Sequence, residues 1–183
     1  FFACGDFNQR LTEWGVANDA GLDWLASGIA RQSITVSYRQ TGKLVELAKA
    51  VAELGGSTAD NIVLPDRLDI DGVTPIWQSH LGSDGEVAEW LTDRIREIES
   101  VVRSVPSIAV LVKSEDRVEP IANALNEHLQ EVNLSAVACK DGKVVGYDHD
   151  VRVFDIQHIK GLEFEAVFFA DLDEIIDENP SLY

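Results

Sequence analysis

The apolar positions of the chain alternate between helical and strand-like spacing. The clearest helical pattern has an apolar residue at every third or fourth position, at Val87, Leu91, Ile95, Ile98 and Val102. Residues 108–112 (IAVLV) form an uninterrupted apolar run, typical of a strand covered on both faces. Ser114 follows as the predicted N-cap of a further helix, with apolar positions at Ile121, Leu125 and Leu129. The middle of the chain is therefore predicted to run helix, strand, helix.

Weaker patterns extend this alternation toward both ends of the chain. Helices are predicted at residues 20–29 and from Leu44 to Val51, with Gly55-Gly56 ending the second one. Residues 57–74 contain Gly, Pro, Asp and Asn among few periodic apolar positions, which predicts a loop or an irregular hairpin. The other strand-like segments are residues 34–38, 75–78, 134–138, 151–156 and 166–170.

Strands that alternate with amphipathic helices indicate an α/β fold. We expect a mostly parallel sheet with helices on both faces. In such sheets ligands bind beyond the carboxyl ends of the strands, so the residues that follow each strand are the first candidates for a functional site.

Composition and charge narrow the classes of function. The 183 residues suffice for one well-buried domain, or for one domain and part of another. A formal net charge of -17 makes the average surface repel nucleic acid, lipid headgroups and free nucleotides. Phosphate binding would therefore need a local cationic site or a partner domain. No apolar run approaches the roughly 20 residues that span a bilayer, so no membrane partner is expected.

Two further features concern the cellular context. Cys4 and Cys139 lie far apart and lack metal-ligand spacing, which favours reduced, buried thiols in a cytoplasmic protein and predicts no metal site. The chain has no methionine, and the opening Phe1-Phe2-Ala3-Cys4 resembles the end of a buried strand. We therefore expect the chain to be a piece of a longer protein.

Three strand exits carry side chains that suit a nucleotide. Gln9 ends a turn after the opening apolar run, Arg39 follows the strand at 34–38, and Glu163 lies in a turn after the strand at 151–156. Arginine offers a rigid fork for phosphate oxygens, and a carboxylate can accept ribose hydroxyls. Taken singly, each of these residues also fits a structural role, as a turn residue or a surface charge.

The order of these segments resembles motifs III, IV and V of superfamily I helicases of the UvrD/Rep/PcrA type. GDFNQRLTEWGVA is similar to motif III, SYRQTGKLVELAKAV to motif IV, and VFDIQHIKGLEFEAVFF to motif V, with KGLEF matching in full. The resemblance is strong at both ends of the chain and rests on the fold alone in the middle. It implies a RecA-like sheet of the P-loop NTPase type.

The resemblance also implies roles for single residues. Gln9 would sense the γ-phosphate of ATP, and Arg39 would be an arginine finger that stabilises the transferring phosphoryl group. Glu163 would contact the nucleotide ribose. The other positions implied in binding are Gly161 and Tyr38 on the nucleotide side, and Trp14, Lys160 and His158 on the nucleic-acid side.

Some positions depart from the family pattern. Where the family usually has Thr-x-His before the Lys-Gly pair, this chain has Asp155-Ile156-Gln157, with His158 one position later. In the family these positions approach the nucleic-acid backbone, where an aspartate would repel phosphate. Thr12 replaces a common tyrosine of motif III, which removes one stacking ring. The nucleotide-binding positions therefore match the family better than the nucleic-acid-binding positions do.

The resemblance places the chain in the second half of a motor. Residues 1–30 would be the tail of a preceding RecA-like domain, and 31–183 would be a C-terminal RecA-like domain that stops before motif VI. The phosphate loop would belong to the preceding N-terminal domain of the same protein, since this chain has no Gly-x-x-x-x-Gly-Lys-Ser/Thr segment. The cofactors expected for the longer protein are ATP and Mg²⁺, and its expected partner is single-stranded DNA.

Two other functional interpretations stay open. The acidic charge and the altered motif V favour a degenerate helicase-like domain that binds a protein partner without catalysis. An unrelated acidic α/β domain is the third alternative.

Overall fold

The computed structural model describes residues 16, 19–25, 28, 30, 40–54 and 72–172 of the chain. These residues fall into two compact units, one extending to Trp77 and the other beginning at Gln78. The first unit contains helices α1 (Asp19–Leu25) and α2 (Gly42–Leu54), which confirms the two helices predicted there. The predicted strand at 34–38 and most of the predicted loop at 57–74 lie outside the described residues.

The strand predicted at residues 75–78 is wrong, because residues 72–82 have no regular secondary structure. Pro75 has no N–H to donate to a neighbouring strand. Gly72 and His80, with φ of 77° and 66°, interrupt an extended conformation on either side. The apolar side chains here are exposed, so burial does not stabilise a strand either.

The second unit holds the elements predicted for the middle and end of the chain. Helix α3 (Asp84–Val102) is capped at its N-terminus by Ser83, whose side chain accepts a hydrogen bond from the N–H of Glu86. The helices and strands that follow are β1 (Ile108–Val112), α4 (Glu115–Leu129), β2 (Ala136–Ala138), β3 (Val151–Asp155) and β4 (Ala166–Phe169). Short 3₁₀ turns follow α4, β2 and β3, at Gln130–Val132, Lys140–Gly142 and Ile156–His158.

The four strands form one parallel sheet in the order β2-β3-β1-β4, which confirms the predicted α/β fold class. Strand β1 is central, with Ile108 opposite Val151 of β3 on one side and Ala166 of β4 on the other. All five residues of β1 are buried, as its continuous apolar sequence predicts.

Helices α3 and α4 pack on one face of this sheet. Their buried residues, including Leu91, Ile95, Ile121 and Leu125, meet the alternate strand residues Val110 and Val153. The opposite face carries a smaller cluster of Ala109, Leu111, Cys139 and Phe154. Within the described part of this unit, Ile159 and Phe164 of the β3–β4 connection pack against that smaller cluster.

The β3–β4 connection crosses the sheet because β3 and β4 lie on opposite sides of β1. Helix α4 connects β1 to β2 over one face, and residues 156–165 return over the other face in the opposite direction. Both crossovers therefore have the same hand, as parallel sheets require. This path lays the Lys160–Glu163 segment across the outside of the sheet.

Two further predictions concern the environment of the fold. Cys139 is a buried, free cysteine, as predicted, and burial raises the pKa of its thiol. Among the described residues no helix combines the length and the apolar character that crossing a bilayer needs.

Candidate functional site

The candidate site lies at the carboxyl edge of the parallel sheet. Glu115 comes shortly after β1, the Lys140–Gly142 turn follows β2, and Asp155 ends β3 before the Ile156–His158 turn. Because the strands are parallel, these three chain segments lie at the same edge of the sheet, where the carboxyl ends of the strands are.

The Lys-Gly-Leu-Glu turn continues from this edge into the β3–β4 connection. Gly161 has φ of 86°, a left-handed conformation that favours glycine, and a Cβ there would meet no atom of the described residues within 4 Å. Glycine is thus required by the backbone at this point, while the space above it stays open to a ligand. Leu162 donates its N–H to the carbonyl of Ile159, which closes the turn.

The structure describes half of the predicted site residues. His158, Lys160, Gly161 and Glu163 all lie in the β3–β4 connection, and all four are exposed. The other four predicted residues, Gln9, Trp14, Tyr38 and Arg39, lie outside the described residues.

His158 is held by the two neighbouring segments of the edge. Its Nδ1 lies 3.4 Å from Oε2 of Glu115. Gly142 packs against its other side, where a Cβ would be 3.0 Å from the Cβ of His158. Glu115 also accepts a hydrogen bond from the N–H of Asp141 at Oε1, 3.1 Å away. Glu115 therefore links the turn after β2 to the turn after β3.

Asp155, at the family's threonine position, is buried rather than presented to a ligand. Asp155 is only 5% exposed, and its Oδ1 accepts a hydrogen bond from the N–H of Gln157 at 2.9 Å. This bond caps the 3₁₀ turn that begins at Ile156. The expected repulsion between this carboxylate and a phosphate backbone is therefore not supported by its position.

Glu115, Asp155 and His158 form a three-residue cluster that was not predicted from the sequence. One donor atom from each residue lies within 4.8 Å of the other two. Glu115 looked like an ordinary acidic residue in the first turn of α4, where it suits the helix dipole. The available signal was positional, because titratable side chains lie at the end of β3 and shortly after β1.

Arg117 forms a second network at the same edge that was also missed. Its guanidinium donates two hydrogen bonds to the carboxylate of Asp84, at 2.6 and 3.0 Å. It also donates to Asp171, with a shortest distance of 2.9 Å between Nε and Oδ2. The hydrogen bonds from Asp84 and Asp171 raise the pKa of Arg117 and keep it charged. Two carboxylates thus occupy this arginine, which ties α3, α4 and the end of β4 together.

Arg117→Lys is expected to lower the free energy of unfolding by about 1–3 kcal/mol. A lysine cannot reproduce the two planar forks, and it leaves partly buried carboxylate oxygens without a donor. Chemical denaturation measures the change. The control is Arg96→Lys, whose ion pairs with Asp93 and Glu131 are more exposed, and which is expected to cost about 0–1 kcal/mol. Equal effects of the two substitutions would contradict a special role for Arg117.

Another ion pair at this edge, between Lys140 and Glu119, is exposed to solvent. Lys140 contacts Glu119 at 2.5 Å, and this hydrogen bond raises the pKa of Lys140 and lowers that of Glu119. Both side chains are largely exposed, so solvent screens the pair.

Ser114 occupies the N-cap of α4 as predicted, but its side chain makes no capping bond to the backbone. Its hydrogen bond to Asp116 instead lowers the pKa of that carboxyl group.

Neither a scan against models of protein families nor a search among curated proteins finds a match for this chain. The resemblance to superfamily I helicases therefore rests on the three sequence motifs.

Proposed function

We propose that this chain is the second RecA-like domain of an ATP-driven helicase or translocase of superfamily I. In this proposal it acts in the cytoplasm, within a longer protein whose first RecA-like domain supplies the phosphate loop and the Mg²⁺ ligands. The chain contributes Arg39 and Gln9 to ATP hydrolysis, and Glu163 to binding of the nucleotide ribose. Single-stranded DNA would lie along Trp14, Lys160 and His158.

The observation that carries the proposal is the position of the Lys-Gly-Leu-Glu turn. It follows a central parallel strand, it contains Gly161 in a left-handed conformation, and it leaves Glu163 exposed. A ligand can approach the backbone closely at a glycine, and carboxyl ends of parallel strands are where nucleotides bind in α/β sheets.

The packing of the turn gives additional support. Phe164 follows Glu163 directly, and its ring lies 5.7 Å from the buried ring of Phe154 in β3. Ile159, on the other side of the turn, packs against the same cluster. An exposed carboxylate between two anchored apolar residues has a defined position, which a ribose contact needs.

The second candidate function is a non-catalytic protein-interaction module. The observation that favours it is the net charge of -17, which opposes binding to nucleic acid. A module of this kind would keep the fold and its contacts but show no ATP turnover in any longer form of the protein.

The test of the motor compares ATP with 2′-deoxy-ATP in the longer protein. If Glu163 accepts a hydrogen bond from the 2′-hydroxyl, the wild type should prefer ATP, and Glu163→Ala should lower kcat/KM for ATP by about 10- to 100-fold. The same variant should lose the preference for ATP, because the discriminating contact is gone. The rates are measured as phosphate release with single-stranded DNA present.

Glu127→Ala serves as the matched control, since Glu127 is exposed on α4 away from the turn. It should change neither the rate nor the preference. A longer protein without ATP turnover would overturn the motor in favour of the interaction module. Turnover that Glu163→Ala leaves unchanged would refute the ribose contact alone.

The 183-residue chain by itself is expected to hydrolyse no ATP, even with single-stranded DNA present. The half of the site that positions the γ-phosphate and Mg²⁺ would be supplied by the other domain. Phosphate release above that of a protein-free blank would show that the chain does not need a second domain.

A further inference from the structure

Three donor groups from two separate chain segments converge at the carboxyl edge of the sheet. Glu115 is the first residue of α4, shortly after β1, while Asp155 is the last residue of β3 and His158 is the last residue of the 3₁₀ turn that follows. Their donor atoms all lie within 4.8 Å of one another. Ligands of an ion with bonds of about 2.1 Å lie about 3.4 Å apart in a tetrahedral site and up to about 4.2 Å apart in an octahedral site. The donor atoms must therefore move closer together for all three to bind one ion.

Contacts within the described part of the protein leave carboxylate oxygens of this cluster able to bind a metal ion. Oε2 of Glu115 is buried and accepts no hydrogen bond from the residues that the structure describes, although His158 Nδ1 lies 3.4 Å away. Asp155 is 95% removed from solvent, and the N–H of Gln157 is its only hydrogen-bond donor in the described part of the chain. Burial of a carboxylate carries a desolvation penalty that one backbone hydrogen bond offsets only in part.

We propose that Glu115, Asp155 and His158 bind one divalent transition-metal ion. One imidazole nitrogen with two carboxylate oxygens suits Mn²⁺, Fe²⁺ or Zn²⁺, whereas Mg²⁺ and Ca²⁺ prefer oxygen ligands alone. The ion would bind Oε2 of Glu115 and would also neutralise the buried charge of Asp155. It would also tie the start of α4 to the turn after β3. This inference does not rest on the proposed motor, because it uses no nucleotide contact and is argued from the cluster alone, although His158 also lies along the proposed DNA track.

The experiment titrates the metal-free 183-residue chain with Mn²⁺ and follows the electron paramagnetic resonance of the free ion. Mn²⁺ is the probe because it has little affinity for thiols, which excludes Cys4 and Cys139 as ligands. Millimolar Mg²⁺ is present throughout to saturate weak binding by the acidic surface. The expected result is one saturable Mn²⁺ site per chain, with modulation of the electron spin echo from a directly bound ¹⁴N nucleus.

Glu115→Gln, Asp155→Asn and His158→Gln should each weaken this binding at least about tenfold. His158→Gln should also abolish the ¹⁴N modulation, which a purely structural effect would not do. The matched controls are Glu119→Gln and His149→Gln, which change the same residue types outside the cluster and should bind Mn²⁺ like the wild type.

Either of two results would overturn the proposal. One is Mn²⁺ binding that Mg²⁺ competes away fully, and the other is a site that survives all three cluster substitutions. Asp155→Asn changes a buried group and can impair folding, so circular dichroism accompanies each titration. Glu115 and His158 are partly exposed, with side-chain exposures of 36% and 39%, so those two variants decide the outcome if Asp155→Asn does not fold.

Discussion

Replacing Arg39 by alanine in the longer protein is expected to lower DNA-stimulated ATP turnover by roughly 10³- to 10⁵-fold. In the proposed motor, this guanidinium neutralises charge that develops on the transferring phosphoryl group. Its contribution is therefore larger in the transition state than in the bound nucleotide. Nucleotide affinity should change much less than turnover. Steady-state phosphate release, together with equilibrium binding of a fluorescent ATP analogue, separates the two quantities.

Arg39→Lys tests whether the shape of the group matters as well as its charge. We expect poor recovery of turnover, because an ammonium group is a point charge and cannot form the planar fork. Arg96→Ala, at a half-buried position of α3, is the control and should keep normal turnover. If Arg39 instead only pairs with a surface carboxylate, its loss would cost about 0–1 kcal/mol of stability and leave turnover intact. Near-normal turnover with an unchanged melting temperature would decide for that structural role.

Phe154→Ala is expected to lower the free energy of unfolding by about 3–5 kcal/mol. Phe154 is among the largest fully buried side chains of the described residues, and it is the centre of the smaller core cluster with Ala109, Leu111 and Cys139. Removing the ring would leave a cavity between the sheet and the β3–β4 connection. Urea denaturation at constant pH measures the loss.

Two substitutions provide the comparison for Phe154. Phe154→Leu keeps most of the volume and should cost less than the alanine variant. Phe169→Ala removes the same ring from β4, where the residue is 48% exposed, and should cost far less. If Phe154→Ala and Phe169→Ala had similar effects, the smaller cluster would not be a stabilising core.

The same cavity should loosen the turn that holds Glu163. Because Phe164 packs on Phe154, the segment from Ile159 to Phe164 would lose its main contact with the sheet. Amide hydrogen exchange in this segment should therefore become faster in Phe154→Ala even under conditions where the protein stays folded.

Local sequence patterns predicted most of the second unit. The IAVLV run predicted β1 because a strand buried on both faces contains only apolar residues. The spacing of apolar residues alone predicted helix α3 and its buried face. Val102, the last apolar residue of this pattern, is 56% exposed and lies beyond the core. Residues 75–78, which include the apolar Ile76 and Trp77, were assigned wrongly as a strand. Those side chains are instead exposed in a segment with irregular backbone.

Long-range contacts were the part that the sequence did not reveal. The cluster of Glu115, Asp155 and His158 depends on the strand order β2-β3-β1-β4, which places the ends of β1 and β3 side by side. Likewise, Arg117 meets Asp84 and Asp171 only because α3, α4 and β4 converge in space. A pattern of apolar residues predicts elements but contains no information on which of them become neighbours.

The central place of β1 has a consequence for the order in which the protein folds as it is synthesised. β1 leaves the ribosome early, but both of its partners, β3 and β4, are made later. The last connection spans 58 positions, where the Glu165 carboxylate accepts a hydrogen bond from the N–H of Ser107. Until residue 169 emerges, the edge of β1 that pairs with β4 lacks this strand partner, and α3 and α4 cover a face of the sheet rather than that edge. A nascent chain arrested before β4 should therefore expose an unpaired strand edge that promotes aggregation, and it should depend on chaperones for its solubility.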